Sequence, residues 1–190
     1  MAVVVLASIT LLVISACSGR IVGLLGGVPP GSTRSYNSPG RLSRGYPIRI
    51  KIPRVSIDAA VEYAGVTSDG SMEVPKGPDN VAWYRFGPLP GEIGSAVISG
   101  HYGWKSGIPA AFDNLHKLQV GDRVYVDDSK GVTSVFVVES VRLYGEKQGA
   151  ADVFGSKDGK AHLNLITCEG LWNAATKSYS NRLVVFAGKE

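Results

Sequence analysis

From Tyr46 onward the chain is cut into short β-like runs by glycines and prolines, and this punctuation limits the folds open to it. Ile48, Ile50 and Ile52 alternate with Arg49 and Lys51, which predicts a half-buried strand closed by Pro53. Further strands are expected over 57–62, 72–74, 95–99, 123–126, 132–144, 162–168 and 182–187, the longest of them bent. Segment 111–118 reads as a helical turn with Phe112, Leu115 and Leu118 inward. Gly121-Asp122 and Asp158-Gly159 are turn signals between runs. About eight short strands with few helices point to a closed barrel or a sandwich.

The 24 glycines fit that reading, and 44% hydrophobic residues against 19% charged ones are enough for a packed core. A pI near 9.1 invites a nucleic-acid function, but the distribution of charge argues against it. All 16 acidic residues lie after residue 45, whereas Arg20, Arg34, Arg41 and Arg44 lie before it. That leaves 16 basic residues of the 20 against 16 acidic ones in 46–190. A formally neutral domain lacks a general phosphate-binding field.

The chain divides into three parts. Residues 1–28 form a hydrophobic segment, read as a membrane anchor or signal, in which 2–16 are almost wholly apolar. The uninterrupted run is shorter than the ~20 residues a comfortable span needs, and no Lys or Arg precedes it. Ile14-Ser15-Ala16-Cys17 also looks like a lipobox, so a lipidated Cys17 stands as the alternative to a spanning anchor. Residues 29–45 are a basic Pro/Gly/Ser linker, able to touch anionic lipid or to act only as a spacer. Residues 46–190 are the folded domain. Cys17 and Cys168 are the only cysteines, and the apolar setting of Cys17 argues against a disulfide between them.

Three residues carry chemistry. Cys168 ends the run Leu165-Ile166-Thr167. Alternation from Ala161 puts His162, Asn164, Ile166 and Cys168 on one face and Leu163, Leu165 and Thr167 on the other. His101 follows an apolar strand through Gly100, where a glycine permits a sharp departure that projects the imidazole over the rim. Arg182 opens the terminal run Leu183-Val184-Val185-Phe186. A thiol, an imidazole and a fixed cation together suffice for nucleophilic acyl transfer with a stabilised oxyanion. Each alone has a plainer reading, as a buried structural cysteine, a solvated histidine or an edge arginine. His116 and His162 have only the plainer one. Three histidines and one cysteine in the domain give poor support for zinc, no acidic cluster argues for calcium, and no cofactor is expected.

In order and local sequence, these three residues resemble those of the sortases, the cysteine transpeptidases of Gram-positive cell surfaces. The likeness extends over Ile52-Pro53-Arg54-Val55-Ser56-Ile57-Asp58-Ala59, Trp83-Tyr84, and the approach Pro88-Leu89-Pro90-Gly91-Glu92-Ile93-Gly94 leading through Ser99-Gly100 to His101. It continues through Phe112-Asp113-Asn114-Leu115 and Leu118-Gln119-Val120-Gly121-Asp122, so it covers roughly 46–190. The style is most similar to classes E and F, with class F favoured.

The resemblance implies a mostly β fold, an eight-stranded barrel with short helical turns behind an N-terminal hydrophobic anchor. It also implies a thiol transpeptidase that cleaves an LPXTG-like sorting signal at Thr–Gly and joins the acyl group to a cell-wall amine. Cys168 would be the nucleophile, His101 the proton shuttle and Arg182 the oxyanion and backbone ligand, with Trp172 and Thr167 as candidates for substrate binding. Its partners would be surface proteins bearing the signal, a cell-wall precursor amine and the membrane, with the catalytic domain extracellular. Two other readings stay open: a thiol hydrolase using water as acceptor, and a noncatalytic β-barrel adhesin. For the enzyme, thiolate and imidazolium must coexist. With ordinary pKa values of about 8.5 and about 6.5, on the order of 1% of molecules hold that pair at pH 7.

Overall fold

The computed structural model describes residues 44–68, 70–145 and 148–190; segment 1–28 and nearly all of the linker lie outside them. The strands are β1 (Pro47–Ile52), β2 (Ile57–Ala64), β3 (Val81–Tyr84), β4 (Gly94–Gly100), β5 (Arg123–Asp128), β6 (Thr133–Gly145), β7 (Ala161–Asn173) and β8 (Ser178–Lys189). They close a barrel in the order β1-β2-β3-β4-β7-β8-β6-β5. The pairs β2–β3 and β4–β7 are parallel and the rest antiparallel. The fold is therefore the mostly β, eight-stranded barrel that the sequence implies. Among the described residues no helix is long and apolar enough to cross a membrane.

Alternation fills the barrel. Ile50, Trp83, Ile98, Phe136, Leu165 and Val185 belong to one buried interior cluster. Trp83 also satisfies its indole, donating from Nε1 to the Pro88 carbonyl at 3.0 Å. A second cluster lies on the outer face of the sheet. There Ala82, Val97, Ile166 and Val184 are covered by Val153 of the short helix α1 (Ala151–Phe154) and by Met72 from the β2–β3 connection. β4 and the first half of β7 are thus buried on both faces, as central parallel strands usually are.

Several sequence expectations shift in detail. Ile48 is exposed rather than inward, because the β1–β5 register slips between Pro47 and Arg49 and turns the start of the strand over. The segment at 72–74 makes only an isolated bridge, Val66 to Met72. β3 and α1 carry no alternation of their own and were not expected. Segment 111–118 does supply a turn, a 3₁₀ helix at Leu115–Lys117, with Phe112, Leu115 and Leu118 all buried. β6 is irregular between Val138 and Ser140, the bend anticipated for the longest run.

Candidate active site

β7 does not stop at Cys168. It continues to Asn173 across an irregularity between Glu169 and Trp172, where Gly170 takes φ +89°. A Cβ at Gly170 would run into Ser180 Oγ, so the glycine serves both the turn of the backbone and the closeness of β8. β8 begins at Ser178, four residues before the run expected from sequence, so Arg182 lies inside the strand rather than at its start. In the β7–β8 register Cys168 stands directly opposite Arg182. Directly opposed residues of an antiparallel pair point to the same side. Ile166 opposite Val184 shows that this is the outer face.

His101 joins the same face from the other side. β4 pairs with β7 in parallel, with Ser99 beside Ile166. Thr167 Oγ1 donates to the Gly100 carbonyl at 2.9 Å, which ties the next stretch of β7 to the end of β4. His101, one residue past β4, is therefore held beside Cys168 along the strands. The imidazole does not project over a rim. It is 2% exposed, packs edge-on against Trp104 at 4.7 Å between centroids, and forms a 2.8 Å hydrogen bond from Nε2 to the Pro75 carbonyl. A carbonyl only accepts, so Nε2 carries the proton and Nδ1 is the nitrogen that can gain or lose one. Burial pushes the His101 pKa below its ordinary value, while the Pro75 carbonyl and the Glu62 carboxylate oppose that shift.

Gly100 has a different role from the one its sequence position suggests. Its φ is ordinary, but a Cβ there would lie 2.5 Å from Phe112 Cδ2 and 2.6 Å from Cγ. Only glycine lets the Phe112 ring seat against the strand that delivers His101.

Arg182 is 5% exposed. Its Nη1 donates to the carbonyls of Tyr179 and Asn181, both at 2.9 Å, and Nη2 donates to Ser178 Oγ at 3.1 Å. The hairpin backbone thus fixes the plane of the guanidinium beside Cys168, which a solvated edge arginine would not achieve. Cys168 is 7% exposed. The expectation of no bond between Cys168 and Cys17 falls on a residue outside the described ones. The nucleophile at this position is the thiolate of the reduced side chain.

The two lesser candidates differ. Trp172 is 39% exposed and packs on Tyr179 at 5.1 Å, and Tyr179 in turn packs on Tyr102 at 5.6 Å, forming an aromatic line beside Arg182. Thr167 is buried, and its hydroxyl is engaged by Gly100, so it braces β7 against β4. Sequence reading passed over Tyr102 and Tyr179, and also Glu62 on β2. Among the described residues no group of three His, Cys, Asp or Glu side chains is placed to hold a metal ion.

Comparison with known proteins bears on the family and the fold. A family model described as the sortase domain matches residues 50–190. Among solved structures the chain is similar to sortase C-1 from Actinomyces oris, at 24% identity and a TM-score of 0.60, over 75% of this chain and 72% of that one. It is also similar to Streptococcus agalactiae sortase C1 in complex with MTSET, at 26% identity and 0.59, over 75% and 66%. A lid mutant of sortase A from Corynebacterium diphtheriae matches at 23% and 0.59, over 80% and 74%. Comparison with curated protein sequences finds no match.

Proposed function

The chain belongs to the sortase family, and we propose that it cleaves an LPXTG-like sorting signal between Thr and Gly and passes the acyl group to a cell-wall amine. The Cys168 thiolate attacks the threonine carbonyl carbon, and the electron pair moves onto the carbonyl oxygen beside the Arg182 guanidinium. As the tetrahedral intermediate collapses, the C–N bond breaks and His101 gives its Nδ1 proton to the departing glycine amine. The product is a thioester on Cys168. An incoming amine loses a proton to His101, attacks the thioester and releases the thiolate, so acid and base roles alternate on one imidazole.

The observation that carries this reading is the opposition of Cys168 and Arg182 in adjacent strands, with His101 delivered to the same face by β4. The adhesin reading needs these three residues on unrelated surfaces, and they share one. Hydrolysis differs from transfer only in the acceptor. Incubating the reduced protein with a sorting-signal peptide and an amine, then weighing the products, separates them: the amide adduct supports transfer, and the free acid alone supports hydrolysis. A class F role, extracellular placement and membrane attachment through 1–28 complete the proposal. The linker arginines add roughly 1 kcal/mol each at an anionic surface, so flotation with anionic vesicles should weaken in high salt.

The lowered pKa of His101 bears on rate. It reduces the imidazolium fraction further than ordinary values would, so a slow enzyme with a bell-shaped kcat/KM profile follows. The limbs report the coupled thiol–imidazole pair rather than either group alone.

A further inference from the structure

We propose that Glu62 is a positioning residue for His101, acting through the single peptide unit that joins Pro75 to Lys76. The carbonyl oxygen of that unit accepts the His101 Nε2 proton at 2.8 Å. The amide N–H of the same unit, carried by Lys76, donates to Glu62 Oε2 at 3.2 Å. One rigid, planar amide therefore has a carboxylate at one end and the imidazole at the other. A carboxylate at the N–H end draws positive charge toward itself and leaves the oxygen more negative, which strengthens the far hydrogen bond. The carboxylate is itself aimed, because Asn80 Nδ2 donates to Glu62 Oε1 at 2.8 Å.

Placement in the barrel explains the reach. Glu62 pairs with Ala82, Ala82 with Ser99 and Ser99 with Ile166, a row across the outer face on which His101 lies two residues beyond Ser99. The arrangement does what a carboxylate bonded directly to an imidazole does: it fixes the tautomer with Nε2 protonated and favours the imidazolium, here with a peptide unit interposed. Other charged groups lie around the imidazole. Lys76 belongs to the relay peptide, and Lys105 sits over the Trp104 ring that packs on His101. Asp113 accepts from Gly103 N at 2.6 Å, and Cys168 and Arg182 come from β7 and β8. Glu62 is linked to Nε2 through the hydrogen-bonded chain of the relay peptide, and its charge raises the His101 pKa against the effect of burial.

The catalytic consequence rests on the sortase reading of His101, but the coupling does not, and the test separates them. The reduced full-length protein with isotope-labelled histidine is titrated by NMR, as wild type, Glu62→Gln and Glu73→Gln. Glu73 is the control: it lies in the same β2–β3 connection as Pro75 and Lys76, and its carboxylate accepts from Gly65 N at 2.6 Å. The His101 midpoint should move to lower pH in Glu62→Gln and stay at the wild-type value in Glu73→Gln. The acid limb of kcat/KM, which reports the coupled pair, should move in the same direction. An unchanged midpoint in Glu62→Gln, or an equal shift in Glu73→Gln, overturns the proposal. Asn80→Ala, which releases Oε1 and leaves the carboxylate in place, should shift His101 in the same direction, and it decides the matter should Glu62→Gln not fold. Absence of peptide transfer by wild type would sink the sortase reading while leaving the NMR result to judge Glu62.

Discussion

Replacing Gly100 by alanine tests how the fold delivers His101. The new methyl would start 2.5, 2.6 and 3.0 Å from three carbons of the Phe112 ring. Carbon atoms in contact sit about 3.5–4.0 Å apart, so the ring must withdraw by roughly 1 Å. It has no free space to enter, since Phe112 is 0% exposed and belongs to the interior cluster. Overpacking of this kind costs about 1–3 kcal/mol. The displacement also reaches the site, because Phe112 N donates to the His101 carbonyl at 3.1 Å. Gly100→Ala should therefore lower stability in urea melts by that amount and lower kcat more than it changes KM. Phe112→Leu alone leaves a cavity and costs on the order of 1–2 kcal/mol, less than the loss of a whole ring. Combined with Gly100→Ala it makes room for the methyl, so the double mutant should be more stable than the sum of the singles by about 1 kcal/mol. A neutral Gly100→Ala, or strictly additive singles, would refute the close-approach argument and return Gly100 to a purely conformational role.

Other consequences concern the neighbouring contacts. Arg182→Lys keeps the charge but loses the fork that bonds Tyr179, Asn181 and Ser178, and kcat should drop by about 10²–10³ while the fold persists by circular dichroism. Thr167→Val removes the donor to the Gly100 carbonyl and leaves a buried acceptor unpaired, for a loss of about 1–3 kcal/mol in denaturant titration. His101 titrates below its ordinary value because it is buried, so the unfolded chain takes up its proton first as pH falls. Its stabilising contribution is complete above pH 6.5 and is lost as pH drops toward the folded value. His101→Gln should flatten that segment of the stability–pH curve, and an unchanged slope would show that burial is not what shifts the imidazole.

Much of this architecture was legible in the chain because β structure writes its period into side chains. That Leu163 and Leu165 share one face and Ile166 and Cys168 the other followed from alternation alone, and the barrel turns the first face inward. What alternation cannot show is where a register slips, which is why Ile48 was placed inward. It also cannot show a strand without a pattern, which is why Val81–Tyr84 was missed. The site was half visible. A cysteine, a histidine and an arginine each bordering a β run drew notice, but the burial of His101 depends on Trp104 and on the β2–β3 connection. Gly100 looked like a pivot because sequence shows a glycine's freedom and not its neighbours. Glu62 carried no signal at all, since its link to His101 passes through a backbone group contributed by a third segment.

The most direct test of the central claim is mass spectrometry of the intact, reduced protein during turnover of a sorting-signal peptide. The account predicts an adduct carrying the acyl part of the peptide through its threonine, located on Cys168 by fragmentation, discharged by an added amine and absent from Cys168→Ala. Cleavage of the peptide with Cys168 unmodified, or transfer by Cys168→Ala at the wild-type rate, would contradict it.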